Sequence, residues 1–137
     1  MKSSYQCTMK KSLILVRGMP GSGKSSLAKA LNVKAICCAD DYLIRDGEYH
    51  FTDNDAVLAH NSCIRKCREF MKKQTETIMV TNVFASEREL TPYIDLARQF
   101  GYTLFSIIVE TRHGSKSSHD VPETSMIKFR NRFDINL

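Results

Sequence analysis

No part of this chain narrows its fold as much as one apolar run and the glycine-rich octet that follows it. Leu13-Ile14-Leu15-Val16 is continuously apolar, as expected of a strand buried on both faces. Gly18-Met19-Pro20-Gly21-Ser22-Gly23-Lys24-Ser25 fits G-x-x-x-x-G-K-[ST] at every position, and Lys24 to Leu31 reads as a helix. The glycines let the loop fold tightly enough for backbone N–H groups to converge on phosphate oxygens. The helix adds its positive N-terminal end to the same anion. Lys24 can reach the β- and γ-phosphates, and the Ser25 hydroxyl can ligate Mg²⁺. The ordinary alternative is a small-residue turn, and the flanking strand and helix decide against it. Binding of ATP with Mg²⁺ is therefore expected, through Gly18, Pro20, Gly21, Ser22, Gly23, Lys24, Ser25 and Ser26.

The rest of the chain alternates strand and helix, without repeats or a linker. Ala35-Ile36-Cys37-Cys38 is a second short strand, stopped by Asp40-Asp41. Asp46-Gly47 marks a turn in a loop or small hairpin. Asp53 or Asn54 can cap a helix running to about Lys73, with Ala56, Ala59, Cys63, Cys67 and Phe70 on its apolar face. Ile78-Met79-Val80 makes a third strand, and Ser86 with Glu89 is a capping box opening a helix that ends at Gly101. Tyr102 to Val109 is the fourth strand. Residues 111–120 form a polar loop, and Pro122 suits the first position of a last helix ending near Phe133. Four βα units in series imply an α/β three-layer sandwich around a mainly parallel sheet of four or slightly more strands. Ligands in such sheets sit at the carboxyl ends of the strands. Residues 1–137 read as one domain, with 1–11 as a flexible N-terminus.

Composition enters mainly by exclusion. A chain of 137 residues can bury a core without staples. No apolar run nears the ~20 residues that cross a bilayer. Met1 to Ser12 is too polar for a signal peptide, so a cytoplasmic protein with no membrane partner is expected. Cys7, Cys37, Cys38, Cys63 and Cys67 lack paired C-x-x-C spacing and read as small core residues of a reducing compartment. The net charge of +5 fits an anionic partner without identifying one.

Asp40-Asp41-Tyr42 follows the second strand and falls at the same sheet edge as the glycine-rich loop. With that triplet the sequence resembles the polynucleotide-kinase-like group of P-loop kinases. The resemblance is carried by Gly18–Ser25, by Cys38-Ala39-Asp40-Asp41-Tyr42 with Gly47-Glu48-Tyr49-His50-Phe51, by Thr81-Asn82-Val83-Phe84, and by His119-Asp120-Val121-Pro122. Ala59-His60 with Cys63 also looks similar to a helix of that group. The resemblance implies a P-loop NTPase/kinase-like fold and makes Asp40 the general base on a 5′-hydroxyl. A carboxylate beside the γ-phosphate can accept the proton of an attacking alcohol. The plain alternative for Asp40 is an Asx-type turn; for Asp41 the choice lies between the metal shell and a helix cap. Leu43 stands where the phage enzyme has an arginine for the acceptor phosphate, and the third strand ends Val80-Thr81-Asn82 where many relatives place an aspartate.

In the shortened lid-like segment 111–118, Arg112 and Lys116 are candidates to neutralise the transferring phosphoryl, against a simply solvated loop. His113 and His119 read more simply as exposed or turn-forming than as phosphate contacts. His60 shares a face with Cys63 and reads as a hydrogen-bonded core histidine. Tyr49 and Phe51 could stack on a base of a single-stranded acceptor, or pack a hairpin on the core. Lys24, Asp40 and Arg112 are thus the catalytic candidates, and Ser25 with Asp41 the metal candidates. The expected function is transfer of the γ-phosphoryl group to a hydroxyl, most simply a polynucleotide 5′-hydroxyl. The alternatives are a kinase of small hydroxyl-bearing substrates and an ATP-binding switch that transfers nothing.

Overall fold

The computed structural model describes residues 11–45, 48–49, 52–110 and 123–135. Four parallel strands form the main sheet: β1 (Ser12–Arg17), β2 (Ala35–Cys37), β5 (Thr77–Asn82) and β6 (Thr103–Ile108), in the order β2-β5-β1-β6. Helices α1 (Lys24–Ala30), α2 (Ala39–Leu43), α3 (Asp53–Lys72), α4 (Glu87–Phe100) and α5 (Glu123–Arg132) alternate with them. A two-residue antiparallel pair, β3 (Ile44–Arg45) and β4 (Glu48–Tyr49), separates α2 from α3.

The period of two along each strand builds two cores. Leu13, Leu15, Ala35, Cys37, Ile78 and Val80 face α3 and α4. Val16 and Met79, with Ile14 and Ile36, face Ala28 and Leu27 of α1. This is the expected three-layer arrangement, and its central strand β1 ends directly in the glycine-rich loop. The register sets Arg17 beside Asn82 on β5 and beside Ile108 on β6, so these strand ends close at one level. β6 is an edge strand, and Phe105, Ile107 and Ile108 stay exposed on it.

Local chemistry accounts for most boundaries. Ser86 and Glu89 make the predicted capping box of α4, and Gly101 ends that helix at φ 74°, a left-handed conformation suited to glycine. α3 corrects two expectations. Its cap is Thr52, whose hydroxyl accepts from the Asp55 N–H, rather than Asp53 or Asn54. Its buried seam runs Ala59, Cys63, Cys67, Met71 at a spacing of four, which puts His60 on an exposed flank instead of in the core. Cys37, Cys63 and Cys67 are buried small residues, as expected, and Cys38 is half-buried. The expectations for segment 1–10, for Asp46-Gly47, for Pro122 and for Cys7 lie outside the described residues, as do those for Phe51 and the Tyr49 side chain.

Candidate active site

The glycine-rich loop leaves β1 and turns back on itself. The Gly18 N–H donates to the Val83 carbonyl at 3.2 Å, tying the loop to the end of β5. Gly21 and Gly23 adopt φ of 82° and 103°, which side-chain-bearing residues rarely reach. Gly18 is glycine for a different reason: a Cβ there would lie 2.8 Å from the Val109 carbonyl and against the Ser22 side chain. Ser22 is buried within the turn, whereas Ser25 and Ser26 are exposed at the start of α1. No acidic residue occupies the first turn of that helix, so its positive end is unopposed.

The Lys24 ammonium donates to the Gly18 and Met19 carbonyls at 2.9 and 3.0 Å, which holds it across the mouth of the loop. Burial lowers its pKa, and the charge of Asp40 raises it in opposition. A loop built this way, with its cation drawn in and its amides turned by positive-φ glycines, fits a polyphosphate. The hydroxyl of Ser25 and the carboxylate of Asp41, both exposed, are hard oxygen donors of the kind Mg²⁺ takes.

Asp40 and Asp41 lie inside the first turn of α2 and not at a strand-end turn or a cap; the cap position is Cys38, which makes no side-chain cap bond. The residue that serves this helix start is Asn82. Its Oδ1 accepts from the Ala39 N–H at 2.9 Å, and its Nδ2 donates to Cys63 Sγ at 3.5 Å. Burial pushes the Cys63 thiol up to about 12, so it stays a neutral partner. Leu43, in the place of the phage arginine, is 2% exposed and belongs to the core. Among the described residues, no group of three or more His, Cys, Asp or Glu is placed to hold a metal.

Arg17 escaped the sequence reading. It is 1% exposed, its Nε donates to the Phe84 carbonyl at 2.9 Å, and its guanidinium donates to the Asp134 carbonyl and stacks 4.9 Å from the Phe133 ring centre. It binds the root of the phosphate loop to the segment after α5. Its position at the end of a buried strand was the available signal. Arg112, Lys116, His113 and His119 lie outside the described residues.

A family profile described as an AAA domain matches residues 13–115. The chain belongs to this family of P-loop kinase domains. NEDD4-binding protein 2 of Homo sapiens is 33% identical over 94 residues, which is 66% of this chain and 5% of that protein. The structure of the Pnkp1/Rnl/Hen1 complex matches with a TM-score of 0.60 at 17% identity, covering 87% of this chain and 38% of the other. The APS kinase CysC of Mycobacterium tuberculosis, in complex with AMPPNP and APS, matches with a TM-score of 0.51 at 12% identity over 87% of this chain and 68% of that one. Likenesses at such identities speak for the fold, an α/β P-loop kinase fold on a four-stranded parallel sheet. Among the described residues no helix is long and apolar enough to cross a membrane.

Proposed function

We propose that this chain is an ATP-dependent kinase that transfers the γ-phosphoryl group to a hydroxyl acceptor. The observation that carries the reading is the placement of Asp40 in the first turn of α2, whose start Asn82 ties to the end of β5 beside Arg17 and the loop; its charge also raises the Lys24 pKa. Asp40 takes the acceptor proton as the acceptor oxygen bonds to Pγ and the bond from Pγ to the ADP oxygen breaks. Lys24 and the backbone N–H groups of Gly21 and of Gly23 to Ser26 hold the β- and γ-phosphates, the Ser22 N–H being taken by the Met19 carbonyl at 3.0 Å. Ser25 and Asp41 are the residues that would hold Mg²⁺, which would neutralise phosphate charge. Arg112 is assigned to the charge that develops on the transferring group.

Two acceptor classes follow from different observations. The resemblance to polynucleotide kinases, together with the fold shared with the Pnkp1 complex, supports a polynucleotide 5′-hydroxyl. Burial of Leu43 supports a small hydroxyl-bearing substrate, because the arginine contact to an acceptor phosphate is replaced by a core side chain. Incubation of γ-labelled ATP with oligonucleotides, nucleosides and sugars separates them by which acceptor becomes labelled. Label released only as phosphate, with no hydroxyl product from any acceptor, refutes the kinase and favours a nucleotide-dependent switch.

A further inference from the structure

Asn82 ends β5 with a side chain only 6% exposed, in register with Arg17 and one residue from the phosphate loop. Its amide is bonded at both ends to elements other than its own: to the first backbone N–H of α2 and to Cys63 of α3. The orientation of the amide follows from chemistry, since the Ala39 N–H can only donate and must face the oxygen. α2 has five residues, too few to hold its shape by internal hydrogen bonds, and its cap residue Cys38 gives it no side-chain bond. Leu43 anchors its far end in the core. Asn82 anchors the near end, next to Asp40.

We propose that Asn82 is a positioning residue for Asp40: by holding the Ala39 N–H to the end of β5, it sets where the carboxylate stands relative to the phosphate-binding loop. The covalent and hydrogen-bonded path is short, running from Gly18 to Arg17, across the β1–β5 pairing to Asn82, and through one bond to Ala39 and Asp40. A neutral amide suits this place. It accepts from the helix and donates to the Cys63 sulfur at once, and it adds no second negative charge beside Asp40. Reaction rates respond steeply to such placement, with ~10²-fold lost for about 1 Å of misalignment.

The inference rests on the kinase reading, and its test separates the two. Amide hydrogen exchange is measured at Ala39 and Asp40 alongside single-turnover transfer and equilibrium Mg-ATP binding. In Asn82→Ala, exchange at Ala39 should quicken by about tenfold or more while α3 and α4 keep their protection. Transfer should fall by ~10–10²-fold with Mg-ATP affinity held within about threefold. Asn82→Asp keeps the acceptor oxygen and should restore slow exchange at Ala39, whereas its added charge beside Asp40 keeps the rate from serving as the rescue readout. If Asn82→Ala does not fold, Asn82→Ser, whose oxygen falls short of Ala39, replaces it with the same expectations. Unchanged exchange at Ala39 or an unchanged transfer rate in Asn82→Ala, loss of protection spread evenly over the sheet, or no return of Ala39 protection in Asn82→Asp overturns the positioning role. A wild type that transfers to no hydroxyl, with Ala39 still loosened locally by the substitution, refutes the kinase reading and leaves the tie between Asn82 and α2 standing.

Discussion

Arg17→Met should destabilise the fold by an amount that can be worked from its partners. Methionine fills much of the same volume and donates nothing. The Phe84 carbonyl, held at 2.9 Å in a buried site, loses its donor, at a cost of ~1–3 kcal/mol. The stack on Phe133 is lost too, worth ~0.5–1 kcal/mol at a partly exposed ring. The Asp134 residue is exposed, so water can replace the bond to its carbonyl. In the other direction, burial already lowers the Arg17 pKa despite the opposing pull of Asp134 and Glu89. Removing that charge returns about 1 kcal/mol of desolvation. The net loss is ~0.5–3 kcal/mol, dominated by the orphaned carbonyl. Urea unfolding should show it as a lower midpoint with an unchanged slope. Limited proteolysis should show faster cleavage after α5, even though the Asp134 N–H still reaches the Ala85 carbonyl. A variant within about 0.5 kcal/mol of wild type, with its C-terminal segment equally protected, would refute the clamp.

Lys24→Ala should abolish measurable nucleotide turnover and shrink the thermal stabilisation given by triphosphate; wild-type affinity and turnover in that variant would remove the phosphate-loop assignment. Gly18→Ala should lower stability by ~1–3 kcal/mol through overpacking, because the Val109 backbone carbonyl must move from its 2.8 Å approach; a neutral effect in calorimetry contradicts the packing. Asp40→Asn should cut single-turnover transfer by ~10²–10⁴-fold with Mg-ATP affinity nearly kept, and a wild-type rate would refute the base. The same variant tests the Asp40–Lys24 coupling by pH. ATP affinity needs the ammonium, so it holds below the lowered Lys24 pKa and falls as pH rises through it; without the Asp40 charge that fall should move to lower pH, and an unmoved fall denies the coupling.

Some of this architecture can be read from residues alone because single positions decide it. The apolar run before Gly18 admits a buried strand, the octet admits one loop conformation, and the Ser86–Glu89 pair and Gly101 bracket α4 at both ends. Other parts depend on partners far away in the chain. Thr52, Asp53 and Asn54 are all competent caps within three positions, and only the entry angle of the chain selects Thr52. His60 stands three residues before Cys63, but the buried seam steps by four, so the histidine turns out to solvent. α2 is too short to show a helical period, and nothing near Asp40 in sequence reveals that Asn82, 43 positions from Ala39, holds it. Arg17 looks like a polar stop after an apolar run until Phe84 and Asp134 are brought to it.

The buried polar side chains share one location. Among the described residues Arg17, Ser22, Thr81 and Asn82 are the buried polar or charged ones, and all belong to the carboxyl ends of β1 and β5 or to the loop between β1 and α1. Burying such groups costs free energy unless each is bonded well. A chain selected for stability alone would put apolar residues at this level, as it does two residues before Arg17 and Asn82, at Leu15 and Val80. The polar cost is instead gathered where three elements must be held in fixed relation: the phosphate loop through Arg17 and Ser22, the start of α2 through Asn82, and the tail of the chain through Arg17. That distribution implies a specific outcome. Apolar replacements at this edge, of which Arg17→Met and Asn82→Ala are examples, should cost nucleotide chemistry out of proportion to stability, whereas truncations at Leu13 or Ile78 should do the reverse.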